Sequence, residues 1–148
     1  MNTHRFLVVS VIALALAGCS SPSRTSATGT ASVAVTLEDF AVKPATNSVA
    51  AGNVTFHVTN AGPKYPHQLT VVKTDLDPAA LPTTMTGMFD KRGAGVEIVG
   101  ETDGMTEGGS GELTVPLAAG EYILLCNIYD DNGAHFKQGM QTAFTVTE

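Results

Sequence analysis

The nine residues GNVTFHVTN, Gly52–Asn60, decide the class of fold. Val54, Phe56 and Val58 alternate with Thr55, His57 and Thr59. That period of two lays one face of a strand on a core and the other in water, which places His57 on the solvent side. β-Branched and aromatic residues fill the run, and both suit a pleated surface. Turn residues close its ends, Ala51 and Gly52 before it and Ala61, Gly62 and Pro63 after it. The same period continues outward. Val33, Val35 and Leu37 alternate with Ala34, Thr36 and Glu38, and Leu69 and Val71 share a face. Leu113, Val115 and Leu117 alternate ahead of a turn at Ala118, Ala119 and Gly120. Tyr122, Leu124 and Cys126 share a parity, as do Phe144 and Val146. About seven to eight short strands of this kind predict an all-β, Greek-key sandwich or barrel. Residues 75–111 break the pattern with Pro78, Pro82 and a glycine-rich run from Gly104. A short helix within residues 82–90 and a brief strand at residues 96–99 are expected there.

Composition bounds the rest. A chain of 148 residues that is 43% hydrophobic can bury one core, so one domain is expected. Fifteen Gly and seven Pro are too many for a helical bundle. A formal charge of −6 argues against a nucleic-acid partner, because affinity for phosphate backbones rests on basic patches.

Residues 1–18 read MNTHRFLVVSVIALALAG: a short start with Arg5, then an apolar run too short to span a bilayer comfortably. This is the pattern of an export signal. Leu16, Ala17, Gly18 and Cys19 resemble the lipobox of bacterial lipoproteins, which implies lipidation of Cys19 and an extracytoplasmic, membrane-anchored protein in the periplasm or at the cell surface. Residues 19–31 are small and polar and read as a flexible tether. The folded domain is expected over residues 32–148. If Cys19 carries lipid, Cys126 is the domain's single thiol and has no disulfide partner. An exposed thiol is a liability outside the cytoplasm, so an occupant for Cys126 is expected.

Chemistry concentrates in residues 122–140. Cys126, His135 and Met140 form a C-x8-H-x4-M pattern on a loop between two apolar strands, and His67, after Pro66, opens a strand elsewhere. A thiolate, two imidazoles and a thioether are a soft donor set that selects copper over hard cations, and His2Cys with a long axial Met describes an electron-transfer copper site. Donors carried on strand ends can converge at one pole and need not reorganise much when the metal changes charge.

Gly52–Asn60, Pro66-His67, the segment Gly120 to Cys126, and His135-x4-Met140 with Gly139 before the methionine resemble the cupredoxins, of the small exported type 1 (blue) copper kind that includes sulfocyanin-like proteins. The resemblance covers nearly all of the domain. It implies one copper ion with His67, Cys126 and His135 as equatorial ligands and Met140 as the axial one. Gln68 departs from the pattern, since Asn or Ser is frequent there in relatives, but its backbone N–H can still donate to the Cys126 sulfur. The spacing between Cys126 and His135 is longer than in many small members and resembles the ligand loop of copper nitrite reductases.

The implied function is a lipid-anchored, monomeric one-electron carrier, with His135 near the surface passing electrons to a redox partner such as a cytochrome or membrane oxidase. The alternative is a copper carrier that delivers the metal to an extracytoplasmic oxidase. Met85, Met88 and Met105 could offer a weak entry site, or simply fill gaps. Asp130 and Asp131 read as a solvated turn or as acidic charge that steers a partner. Catalysis is not expected. The domain's three histidines are too few for a trinuclear oxidase centre, one loop cysteine is too few for a binuclear one, and four donors leave copper no open position.

Overall fold

The computed structural model describes residues 30–148. The export segment, Cys19 and almost all of the tether lie outside the described residues. Eleven strands follow in chain order: β1 (Ala31–Glu38), β2 (Ala41–Pro44), β3 (Ser48–Ala50), β4 (Gly52–Asn60), β5 (Thr70–Lys73), β6 (Glu97–Glu101), β7 (Ser110–Leu117), β8 (Gly120–Leu125), β9 (Tyr129–Asp130), β10 (Gly133–Ala134) and β11 (Gln141–Thr147). The fold is all-β, as expected. The strands beyond the expected number are β2, β3, β9 and β10, each of two to four residues and too short to show a period.

Two sheets carry the domain. One has the order β2-β1-β4-β7, the other β3-β11-β8-β5-β6, and β9 and β10 form a separate two-stranded hairpin. β1 pairs with β4, and β11 with β3, in parallel; the other neighbours are antiparallel. The inward residues are those the alternation marks. Val33, Val35 and Leu37 meet Val54, Phe56 and Val58 in one sheet and face Tyr122, Leu124, Phe144 and Val146 in the other. Phe56 and Phe144 stack edge to face across the gap, with centroids 5.6 Å apart. His57 points outward and pairs with Glu112, its cross-strand partner on β7, at 2.7 Å.

Residues 75–96 do not form the helix expected within residues 82–90. The one helical piece nearby is a single 3-10 turn at Pro78–Ala80, started by the Asp77 side chain. Prolines at 78 and 82 remove backbone donors, so the segment lies down as irregular chain. It has a structural task all the same. Leu81 and Phe89, with Phe136 from the ligand loop, cover the outer face of β5 and β8 and bury Val72, Ile123 and Leu125. Those two strands are therefore apolar on both faces. The strand expected at residues 96–99 is β6, displaced by one or two residues.

Candidate metal centre

The centre lies where β8, the chain before β5 and the loop 126–140 meet. That loop is closed at its base by a backbone bond from the Cys126 N–H to the Met140 carbonyl, 3.0 Å. Inside it the β9–β10 hairpin brings the chain back, and the His135 N–H bonds to the Ile128 carbonyl at 3.0 Å. His135 then begins a 3-10 turn, His135–Gln138, that ends at Gly139 with φ 112°. Glycine suits that left-handed position, and it returns the chain so that the Met140 N–H bonds to the His135 carbonyl. His67 is fixed by a different device. Its N–H and carbonyl both bond to Met105, at 3.0 and 2.8 Å.

Three donor atoms converge. His67 Nδ1 and His135 Nδ1 lie 3.2 Å apart, and Cys126 Sγ is 3.9 Å from the first and 3.7 Å from the second. All three side chains are fully buried, and Met140, also buried, shares a core cluster with Cys126. The point equidistant from the three atoms lies about 2.1 Å from each, against about 2.0–2.1 Å for metal–nitrogen and about 2.3 Å for metal–sulfur bonds to a first-row ion. The gap between the donors is sized for one such ion.

The outer nitrogens say the same. His67 Nε2 is 2.9 Å from Asp39 Oδ1 and His135 Nε2 is 3.0 Å from Asp130 Oδ2. A carboxylate accepts, so each Nε2 carries its ring's proton and each Nδ1 turns a lone pair inward. Two lone pairs and a sulfur aimed at one point are an arrangement that a cation completes. Soft sulfur and imidazole nitrogen without a carboxylate in the inner set suit copper. The residues present fit one copper ion.

Burial raises the Cys126 thiol above its ordinary range, and the backbone N–H groups of Gln68 and Ile128 draw it partly back. The Gln68 N–H lies 3.5 Å from the sulfur, so the departure at this position leaves the contact in place. Burial likewise lowers the basicity of His67, more than the Asp39 hydrogen bond restores it, and the neighbouring His135 pushes the same way as burial. Desolvation raises the Asp130 carboxyl, but hydrogen bonds from the Asn132 N–H, the His135 ring and the Asn132 amide outweigh it and hold the group below the usual carboxylate range.

The structure brings the donor atoms of His67, Cys126 and His135 together, and Met140 lies next to them through its backbone bonds to Cys126 and His135. The expectation that His135 lies near the surface is overturned. Phe40 and Tyr65 lie edge-on to its ring, with centroids at 5.4 and 6.1 Å, and Asp130 covers its outer nitrogen. Asp130 is thus more than a solvated turn. Among the methionines of the long connection, Met105 fills the core and supplies the backbone clamp on His67, whereas Met85 is fully exposed.

Sequence reasoning missed Asp39, Asn60, Gly62 and Asn127. Asn60 is fully buried and ties the loop before His67, with its Nδ2 donating to the Tyr65 and Met105 carbonyls and its Oδ1 accepting from the Gly62 N–H. Asn127 grips both backbone groups of Phe89 and so fastens the long connection to the ligand loop. A buried Asn at a strand end was the available signal, and turn propensity explains the same residue equally well.

Fold and site together define a cupredoxin-type sandwich with a mononuclear soft-metal centre. No protein-family model matches the chain, and no curated protein sequence does. Solved structures do. The chain is similar to reduced auracyanin from the photosynthetic bacterium Roseiflexus castenholzii, with 22% identity over 81% of this chain and 100% of that one, TM-score 0.57. It is similar to auracyanin A of Chloroflexus aurantiacus, described as a "blue" copper protein, with 20% identity over 80% of this chain and 100% of the other, TM-score 0.55. Reduced rusticyanin aligns at 20% identity over 80% of this chain and 79% of its own, TM-score 0.54. These likenesses show that the chain has the cupredoxin fold.

Proposed function

We propose that the protein is a type 1 copper protein that carries single electrons outside the cytoplasm. The observation that carries this reading is the buried triangle of His67 Nδ1, His135 Nδ1 and Cys126 Sγ, sized for one ion. Copper held there supplies one-electron chemistry by alternating between Cu(I) and Cu(II). His67, Cys126 and His135 would hold it, with the Met140 thioether as the fourth donor. The chain's own contribution is to hold these donors still. His67 is clamped by Met105, Cys126 is tied to Met140, and His135 is fixed by Ile128 and Asp130. Phe40 and Tyr65 keep water from the His135 ring, and electrons reach a partner through this thin aromatic cover.

The burial of every donor supports electron transfer over copper delivery, since an acceptor protein has no exposed ligand to exchange with. It also supports a non-enzymatic role, because no donor faces an open cleft. Export by residues 1–18 and anchoring by lipid at Cys19 complete the reading, with a docked redox protein as partner and a monomeric domain.

Titrating the apo-protein with Cu(II) tests it. The expected result is one ion per chain and an intense thiolate-to-copper visible band that Cys126→Ser abolishes. Absence of the band in the wild type, or its survival in the serine variant, refutes the reading.

A further inference from the structure

Each histidine of the centre is gripped from behind by a carboxylate. Asp39 comes from the chain between β1 and β2, Asp130 from β9, so the two reach the site from unrelated parts of the fold. Both are largely shielded, with side chains 16% and 23% exposed. The Asp39 pair has its own built space. A Cβ at residue 62 would sit 2.3 Å from Asp39 Oδ1 and 2.9 Å from His67 Nε2, so only glycine there leaves room for the contact. The carboxylate does two things at once: it keeps the proton on Nε2, which leaves Nδ1 bare, and it places negative charge behind a metal ligand. With the thiolate, one cation then faces three negative groups. That environment favours the more positive oxidation state. Lys64 lies near both carboxylates but is fully exposed over the Tyr65 ring, where water and salt screen it.

We propose that Asp39 and Asp130 are positioning residues that lock both imidazoles with Nδ1 turned to the metal and, by their charge, hold the reduction potential below that of the same four ligands without them. This rests on the copper reading above.

The test uses the copper-loaded full chain and compares wild type with Asp39→Asn, Asp130→Asn and Asp130→Glu. Asparagine keeps an acceptor oxygen and loses the charge, so the visible band survives. Each Asn variant shifts the preference toward Cu(I) at least tenfold, about 59 mV for a one-electron couple. Asp130→Glu keeps the charge and stays near the wild-type potential. Asp131→Asn, which removes a neighbouring exposed charge, moves the potential by much less. Asn variants at the wild-type potential, or an equal shift from Asp131→Asn, overturn the proposal. A wild type that takes no copper refutes the copper reading instead. Should an Asn variant fail to fold, 15N NMR of the wild-type apo-protein decides: protons on Nε2 of both rings support the lock, and a bare Nε2 on either ring overturns it.

Discussion

Gly62→Ala isolates the space behind His67 in a single methyl group. No left-handed backbone angle is required at this residue, so alanine brings no torsional strain of its own. What it brings is a carbon 2.3 Å from Asp39 Oδ1, 2.9 Å from His67 Nε2 and 3.1 Å from Asn60 Oδ1. Ordinary contact needs roughly a further 1 Å from the carboxylate, enough to break the 2.9 Å hydrogen bond. A hydrogen bond to a charged group contributes about 1.5–3 kcal/mol, and overpacking a filled site costs about 1–3 kcal/mol. The two overlap, because moving Asp39 away relieves the crowding by breaking the bond. Against them stands about 0.4–1 kcal/mol from the stiffer unfolded chain. The net expectation is a loss of about 0.5–2.5 kcal/mol in the apo-protein, read by urea unfolding, and a shift of reduction potential in the copper form of the same sign as Asp39→Asn. Gly104→Ala is the control, since its nearest new contact is Ile128 Cδ1 at 3.8 Å. Equal stability in the two alanine variants would refute the reasoning, as would a destabilised Gly62→Ala with an unshifted potential.

Two further outcomes follow from the burial of the donors and the grip on the long connection. In the apo-protein His67 is held below its ordinary 6.5 and Cys126 above 9.0. As pH falls past about 6.5 the unfolded chain takes up a proton that folded His67 resists, so stability declines until the folded ring itself protonates. As pH rises past about 9.0 the unfolded thiol ionises first and stability declines again, so urea midpoints plotted against pH should peak between these values; a flat profile contradicts the burial assigned to both groups. Asn127→Ala strips the partners from the N–H and carbonyl of Phe89, and each buried unsatisfied group costs about 1–3 kcal/mol. The variant should therefore be cut by protease within residues 82–93 well before wild type, whereas cleavage elsewhere at an equal rate would mean that Asn127 does not fasten that segment.

The strands whose outer face was legible in the sequence are those with water on one side. β1, β4 and β7 alternate because their outer faces are solvated, and their inward valines, leucines and Phe56 fall where the period puts them. β5 and β8 are different. Val72, Ile123 and Leu125 point outward yet are buried, because Leu81, Phe89 and Phe136 lie over them. A period reports which residues share a face, not what covers that face, so residues 75–96 read as an irregular insertion when they are the second layer of a core. The short strands β2, β3, β9 and β10 hold too few residues for any period to show.

The same limit separates the donors from what governs them. The cluster of His67, Cys126 and His135 was legible because donor chemistry belongs to a side chain wherever it sits. Asp39, Gly62 and Asn60 act through another residue, and their importance exists only once loops distant in sequence are brought together. The burial of His135 shows the consequence. The function implied by the resemblance put this histidine near the surface; Phe40, Tyr65 and Asp130 cover it. A ring fixed at Nε2 and packed on its flanks has no freedom to swing when the metal gains an electron, whereas a solvated ring does. On the proposed function, the cover over His135 and the carboxylate behind it would serve one end: the donors would be held in one arrangement in both oxidation states, and a redox partner would meet Tyr65 and its neighbours instead of a bare ligand.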